Sequence, residues 1–321
     1  MAATTLWERL CSMDIKLLGV TGIVAAGAGV LVGLPFGAGA LLVGLGAAYY
    51  FGHRSPPIAL NPDQKIPFAL IEKEVLSHDT TRFRFALQSP EHVLGLPVGK
   101  HMNFSCKVDG KLVVRSYTPV SSNDEIGYFD MVIKVYKPLP PRFPDGGKMS
   151  QYFDQMKIGD TIDVRGPAGH IEYARPGVII LHKDKKSAPI VKNVTKFAMI
   201  AGGTGITPCL QIIRAIKKNP ADRTEVYLVF ANKSEDDILL RKELDEVAED
   251  PRFHIWYTID KAGPGWKYSE GYIDEAMLRE HLPPVGEDVQ ALMCGPPPML
   301  KFACVPNLEK LGYRSDQMAT F

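Results

Sequence analysis

Four consecutive residues, Arg115, Ser116, Tyr117 and Thr118, lie inside a segment that otherwise alternates like a strand. Arginine offers a planar fork of donors suited to a diphosphate, tyrosine a flat ring against which a planar heterocycle can pack, and the hydroxyls short hydrogen-bonding groups. Alternation puts Arg115 and Tyr117 on one face and Ser116 and Thr118 on the other. Both faces can serve one ligand only if it lies along the strand's end. Further on, GGKMS (Gly146, Gly147, Lys148, Met149, Ser150) reads as a helix start whose free N–H groups suit an anion. Either element alone is weak, but together in one sheet domain they fit one dinucleotide.

The second half carries a separate set. In AGGTGITP, Gly202, Gly203 and Gly205 follow an apolar strand and open a helix, which lets the backbone bend tightly and present N–H groups to a phosphate. Pro208 stands where G-x-G-x-x-G has its third glycine, so a purely structural turn competes with the nucleotide reading. MCGPPPML places Cys294 and Gly295 at the carboxyl end of another strand, where open α/β sheets bind ligands, although a small buried thiol is also ordinary packing. In WYTID, Asp260 ends a third strand. A carboxylate there accepts from a ribose and repels a 2′-phosphate, selecting NADH over NADPH, while an exposed turn aspartate is the plainer alternative.

These residues need elements to position them. From Ile66 to about Tyr173 six short apolar alternations, FALIEKEVLS, TRFRFAL, KHMNFSCKV, KLVVRSYTPV, YFDMVIKVY and DTIDVRG, are separated by turn residues and predict an antiparallel six-stranded β-barrel. One helix, GGKMSQYFDQM, interrupts them. A long loop is expected from Ala174 to about Lys192. Beyond it, apolar strands alternate with amphipathic helices, predicting an α/β domain with a parallel sheet covered on both faces.

The first residues differ from all of this. No charged side chain occurs between Leu17 and Gly52, a run longer than the about 20 residues that a membrane span needs. It predicts an N-terminal membrane helix, or a hairpin broken at Pro35, with residues 53–62 as a proline-rich linker. The expected organisation is therefore 1–52 anchor, 53–62 linker, 63–175 antiparallel domain, 176–192 interdomain linker and 193–321 parallel-sheet domain. With 37 basic and 36 acidic residues the chain is not a general nucleic-acid binder. Its five scattered cysteines show no metal-site spacing, which argues against zinc and iron–sulfur clusters.

From about Pro62 to Phe321 the chain resembles the NADH-cytochrome b5 reductases, membrane-tethered flavoproteins of the ferredoxin-NADP reductase superfamily. The resemblance rests on LGLPVGKH, VVRSYTPVSS, VIKVY, GGKMSQY, IAGGTGITP, WYTID and LMCGPPPM in that order. It implies FAD in the first domain, held by Arg115, Ser116, Tyr117 and Thr118, lined by Ile133, Lys134 and Tyr136, closed over by Gly147, Lys148, Met149 and Ser150, and approached by Thr207 from the other domain. It implies NADH beside Gly203, Thr204, Gly205, Asp260, Tyr272, Cys294, Gly295, Pro296 and Pro297, with Thr118 and Cys294 nearest the reacting rings. Ser116 departs from the pattern, since many relatives have proline there.

The same resemblance implies electron delivery to cytochrome b5, an acidic haem protein, through a basic face including Lys148, Lys185, Lys186 and Lys65. Hydride transfer between two held rings needs positioning rather than a tuned acid or base. The expected setting is the endoplasmic reticulum or outer mitochondrial membrane, with the catalytic domains facing the cytosol. A reductase for another acceptor, such as a quinone, and a non-catalytic membrane-tethered nucleotide binder are the rival readings.

Overall fold

The computed structural model describes residues 55–141, 143–182 and 187–321. The expected membrane segment, 17–52, and the docking lysines Lys185 and Lys186 lie outside the described residues. Among the described residues no helix is long and apolar enough to cross a membrane.

The six expected alternations become β1 (Ile66–Val75), β2 (Thr80–Ala86), β3 (His101–Val108), β4 (Lys111–Tyr117), β5 (Tyr128–Lys134) and β6 (Thr161–Ala168). They form one antiparallel sheet in the order β4-β3-β6-β1-β2-β5. Strand β2 shows why the sheet curls. Phe83 and Phe85 point inward and are fully buried, while Arg82 and Arg84 on the other face pair with Glu72, Glu74 and Asp130. Phe85 stacks on Phe129 at 5.2 Å, and Phe68 meets Phe129 edge-on at 5.2 Å. Each such buried ring stabilises the fold by roughly 1.5–3 kcal/mol relative to exposure. Residues from all six strands share this core. The sheet wraps it without closing: among the described residues β4 and β5 are edges not paired with each other, so the expected barrel is a curled open sheet.

Two stretches expected to be connections are structured. Within the supposed loop, β8 (Val178–Leu181) pairs antiparallel with β7 (Ile171–Arg175) on one side and with β9 (Ile190–Asn193) on the other, because short apolar runs such as VII and IV become strands once a partner is supplied. Residues 57–61 of the supposed first linker are docked on the curled sheet: Ala59 and Leu60 are buried, and their N–H groups donate to the carbonyls of Val93 and Leu94.

The second sheet is parallel, in the order β13-β12-β11-β10-β14-β15. Its strands are β10 (Lys196–Gly202), β11 (Glu225–Asn232), β12 (Phe253–Ile259), β13 (Ser269–Glu270), β14 (Val289–Cys294) and β15 (Met318–Thr320). The two- and three-residue strands β13 and β15 are too short to show a period in the sequence. Alternation in β10 divides the layers. Phe197, Met199 and Ala201 pack with the helices Ile206–Lys218 and Arg241–Val247, whereas Ala198 and Ile200 pack with Glu275–His281 and Val305–Lys310. The chain runs outward from β10 through β11 and β12, then crosses to β14. The crevice between β10 and β14 is thus the topological switch point, where open α/β sheets bind ligands.

Candidate functional site

Gly202 ends β10 and Cys294 ends β14, with Ala201 and Cys294 opposite each other in register. The backbones beyond these strands come so close that side chains are excluded. A Cβ on Gly205 would lie 2.2 Å from the Cys294 carbonyl oxygen, and one on Gly202 would lie 2.7 Å from Met299 Sδ. Gly203 has φ +53° with open space around it, so its requirement is conformational. The close packing that Pro208 cannot supply is therefore supplied by Gly205, and Pro208 sits in the first turn of Ile206–Lys218, where proline is tolerated.

Outside this crevice lies a cavity of about 620 Å³, lined by Gly202, Gly203, Asn232, Asp260, Tyr272 and Pro296 among others. Of the residues expected around NADH, Gly203, Asp260, Tyr272 and Pro296 line it, whereas Thr204, Gly205, Cys294, Gly295 and Pro297 do not. Asp260 and Tyr272 are exposed at its wall. The Cys294 thiol is half-buried, and burial pushes its pKa up to about 11, which keeps it neutral at physiological pH. It is suited to packing rather than to nucleophilic attack.

A second cavity, about 470 Å³, is lined by Arg115, Ser116, Tyr117 and Gly146 through Ser150, which brings the two dinucleotide elements of the sequence together. The helix Lys148–Gln155 begins here. Its first helical bond runs from the Gln151 N–H to the Gly147 carbonyl, so the N–H groups of Lys148, Met149 and Ser150, residues that line the cavity, lack helical acceptors and suit an anion. Gly147 is not part of that donor set, because its N–H donates to the Tyr136 carbonyl at 2.8 Å. Ser150 is a fastener: its buried hydroxyl donates to the Gly147 carbonyl and accepts from the Tyr136 N–H. Gly146, at φ +64°, is held so close to the Tyr136 carbonyl that a Cβ would lie 2.6 Å from it. Tyr117 stands edge-on to Phe104 and Phe153, and burial raises its phenol pKa, so the ring is uncharged. The donor set of Arg115 and free N–H groups beside an aromatic face fits a flavin dinucleotide.

The remaining expected residues sit elsewhere. Thr118 is buried just past β4 and lines neither cavity. Ile133 points into the aromatic core. Thr207 is buried, and its hydroxyl donates to the Thr204 carbonyl at 3.2 Å; Thr204, not Thr207, reaches the second cavity from the parallel domain. Lys134 lines the larger cavity, with its ammonium 2.7 Å from Asp79 and 2.6 Å from Asp237. Burial works against the Lys134 charge, but the bonds to both carboxylates outweigh it and raise its pKa. Lys148 is exposed, 3.8 Å from Asp145, and Lys65 is exposed.

Tyr136 lines both cavities, so the two meet at one side chain. The sequence did not single out Asn232, Asp237 or Phe302, which also line the larger cavity. For Asn232 a signal existed: a polar residue at the carboxyl end of an otherwise apolar parallel strand.

Residues 67–173 match the family model of an oxidoreductase FAD-binding domain, and residues 199–305 that of an oxidoreductase NAD-binding domain. NADH-cytochrome b5 reductase 3 of Rattus norvegicus is 56% identical over 275 residues, covering 84% of this chain and 91% of that one. NADH-cytochrome b5 reductase 2 of Homo sapiens is 52% identical over 272 residues, covering 84% and 99%. Among solved structures, the cytochrome b5 reductase domain of Ulva prolifera nitrate reductase superposes with a TM-score of 0.77 at 46% identity, covering 83% of this chain and 100% of that one.

Proposed function

Because the chain belongs to the NADH-cytochrome b5 reductase family, we propose that it oxidises NADH and delivers the electrons singly to cytochrome b5, anchored in a membrane by residues 17–52. It is an oxidoreductase whose cofactors are FAD and NADH. The observation that supports the reading is that Tyr136 lines both cavities, so a flavin in one and a nicotinamide coenzyme in the other would lie close together. FAD, when bound, supplies the chemistry of accepting a hydride and releasing electrons one at a time.

The work of the chain is positioning. Arg115 and the N–H groups opening the Lys148–Gln155 helix hold the FAD diphosphate, and Tyr117 packs against its ring. Met149, buried beside Cys106, and Ser150 keep that helix start in place. On the NADH side, Gly203 admits the coenzyme phosphates, Asp260 accepts from the adenosine ribose, Tyr272 covers the cavity wall, and the neutral Cys294 thiol packs beside the nicotinamide. Lys148 and the loop lysines Lys185 and Lys186 draw in the acidic acceptor, an attraction that chiefly accelerates association and fades with salt. The two domains face the cytosol from the endoplasmic reticulum or the outer mitochondrial membrane.

The test is the initial rate of cytochrome b5 reduction by the FAD-loaded full chain, with NADH or NADPH as donor and at rising ionic strength. Fast turnover that favours NADH and slows with salt is the expected result. Bleaching of the flavin by NADH while the cytochrome stays oxidised would move the proposal to another acceptor. Recovery of the chain with vesicles, and loss of that recovery on removing residues 1–52, tests the anchor.

A further inference from the structure

Asn232 closes β11 at the carboxyl edge of the parallel sheet, beside Asp260, whose backbone N–H donates to the Asn232 carbonyl at 3.2 Å. The residue is 8% exposed and lines the 620 Å³ cavity. Neither its amide nitrogen nor its amide oxygen has a hydrogen-bond partner in the protein. Buried polar groups are almost always paired, and an amide left without partners lowers stability. Among the described residues the other buried side-chain atoms without a partner are Arg82 Nε and Gln290 Oε1, each on a side chain that is bonded through another atom, and neither residue borders a cavity. The orphaned amide at the cavity wall therefore points to something the cavity receives.

The chemistry of that something is constrained. A carboxamide presents a donor and an acceptor side by side. A phosphate or carboxylate can satisfy the nitrogen but not the oxygen, and a cation the reverse. A hydroxyl both donates and accepts, and a vicinal pair of hydroxyls matches both atoms at once. Asn232 lies one residue past Ala231, which faces Gly202 in register, and next to the Asp260 end of β12, so it stands between the glycine turn and the ribose-binding carboxylate.

We propose that Asn232 is a recognition residue for the adenosine ribose of NADH, its amide completed by the ribose hydroxyls alongside Asp260. The proposal rests on the reading that this cavity takes NADH. It also explains why a strand whose residues from Val226 to Ala231 are hydrophobic ends in a buried amide: the group is unfavourable to the empty protein and useful only when the coenzyme is present.

The experiment measures binding to the FAD-loaded protein by calorimetry, using ADP-ribose, ADP and 2′,3′-dideoxyadenosine 5′-diphosphate, with Asn232→Leu and Asn232→Ser. Wild type should bind ADP more tightly than the dideoxy analogue. Each variant should bind ADP-ribose about 10- to 100-fold more weakly, as expected for two lost hydrogen bonds, with a smaller preference for ADP over the dideoxy analogue. Asn232→Leu should also keep or raise the melting temperature of the nucleotide-free protein, a combination that a merely structural asparagine would not give. Unchanged ADP-ribose affinity in either variant overturns the proposal and leaves the amide to bound water. Failure of wild type to bind ADP-ribose at all sinks the NADH assignment of the cavity instead, and the proposal with it.

Discussion

Lys134 of β5 and Asp237 of the parallel domain meet at 2.6 Å in the wall of the larger cavity, and Asp79 accepts from the same ammonium at 2.7 Å. Together with His78, the two carboxylates form an acidic group with ligand atoms close enough for a metal. The ammonium in their midst already supplies the positive charge. The triad ties the curled sheet to the parallel sheet where the cavity opens.

Asp237→Asn should destabilise the protein by about 2 kcal/mol, between the values for surface and buried pairs, because both side chains are only 12% exposed. Burial disfavours the Asp237 carboxylate, yet the bonds from Lys134 and Ser234 hold its pKa below the ordinary range. A lowered carboxylate stabilises above its unfolded pKa and loses that contribution as pH falls through the folded one. Lys134, whose pKa is raised, stabilises below its unfolded value and loses that contribution as pH climbs through the folded one. Urea titrations should therefore show the Asp237→Asn deficit undiminished at pH 7 and narrowing in strong acid and strong alkali.

Gly205→Ala should be poorly tolerated, since the added methyl would meet a backbone carbonyl that cannot rotate away. A loss of roughly 1–3 kcal/mol is expected from overpacking, lowering the melting temperature by several degrees. NAD⁺ titration should show weakened binding, whereas the bound FAD content stays near wild type. A neutral Gly205→Ala would mean that the strand ends part more easily than their spacing indicates.

Cys294 should behave as a neutral thiol. With its pKa pushed up to about 11, its alkylation by iodoacetamide should be slow at pH 8 and climb steadily through pH 10, measured by peptide mass analysis. Cys294→Ala should slow single-turnover NADH oxidation about 10-fold with FAD content unchanged, if packing beside the nicotinamide is its role. Rapid alkylation at neutral pH would contradict the burial that raises the pKa.

Asp260→Ser should raise the ratio of NADPH to NADH kcat/KM by about 10-fold or more, since removing the carboxylate ends its repulsion of a 2′-phosphate. Lys233 lines the same cavity and remains as a cation for that phosphate. Steady-state kinetics with both donors decides it, and an unchanged ratio would place discrimination elsewhere.

How much of this was legible beforehand depends on the range of the interaction. The six strands of the curled sheet, the helix after Gly147 and the alternation of the parallel domain were readable because period and turn residues are local properties. So was the pairing of Arg115 and Tyr117 with the glycine-opened helix, since each element carries its own chemical signature. Strands β13 and β15 were not, because two or three residues contain no period. Strands β8 and β9 read as loop for a related reason: β8 is held by β7, and β9 in turn by β8.

Residue types and spacing alone gave what the chain can offer: a guanidinium fork, a glycine-opened helix start, a glycine turn after a buried strand, and a carboxylate at a strand end. Only the tertiary structure decided who does what among them. It made Gly205 the packing glycine, moved the contact across the domains from Thr207 to Thr204, and gave Lys134 to two carboxylates. It also left the Asn232 amide without a partner at a cavity wall. The physical reason is that composition and spacing fix what a residue can offer, whereas burial and the distance to groups far away in the chain fix which of those offers is already taken.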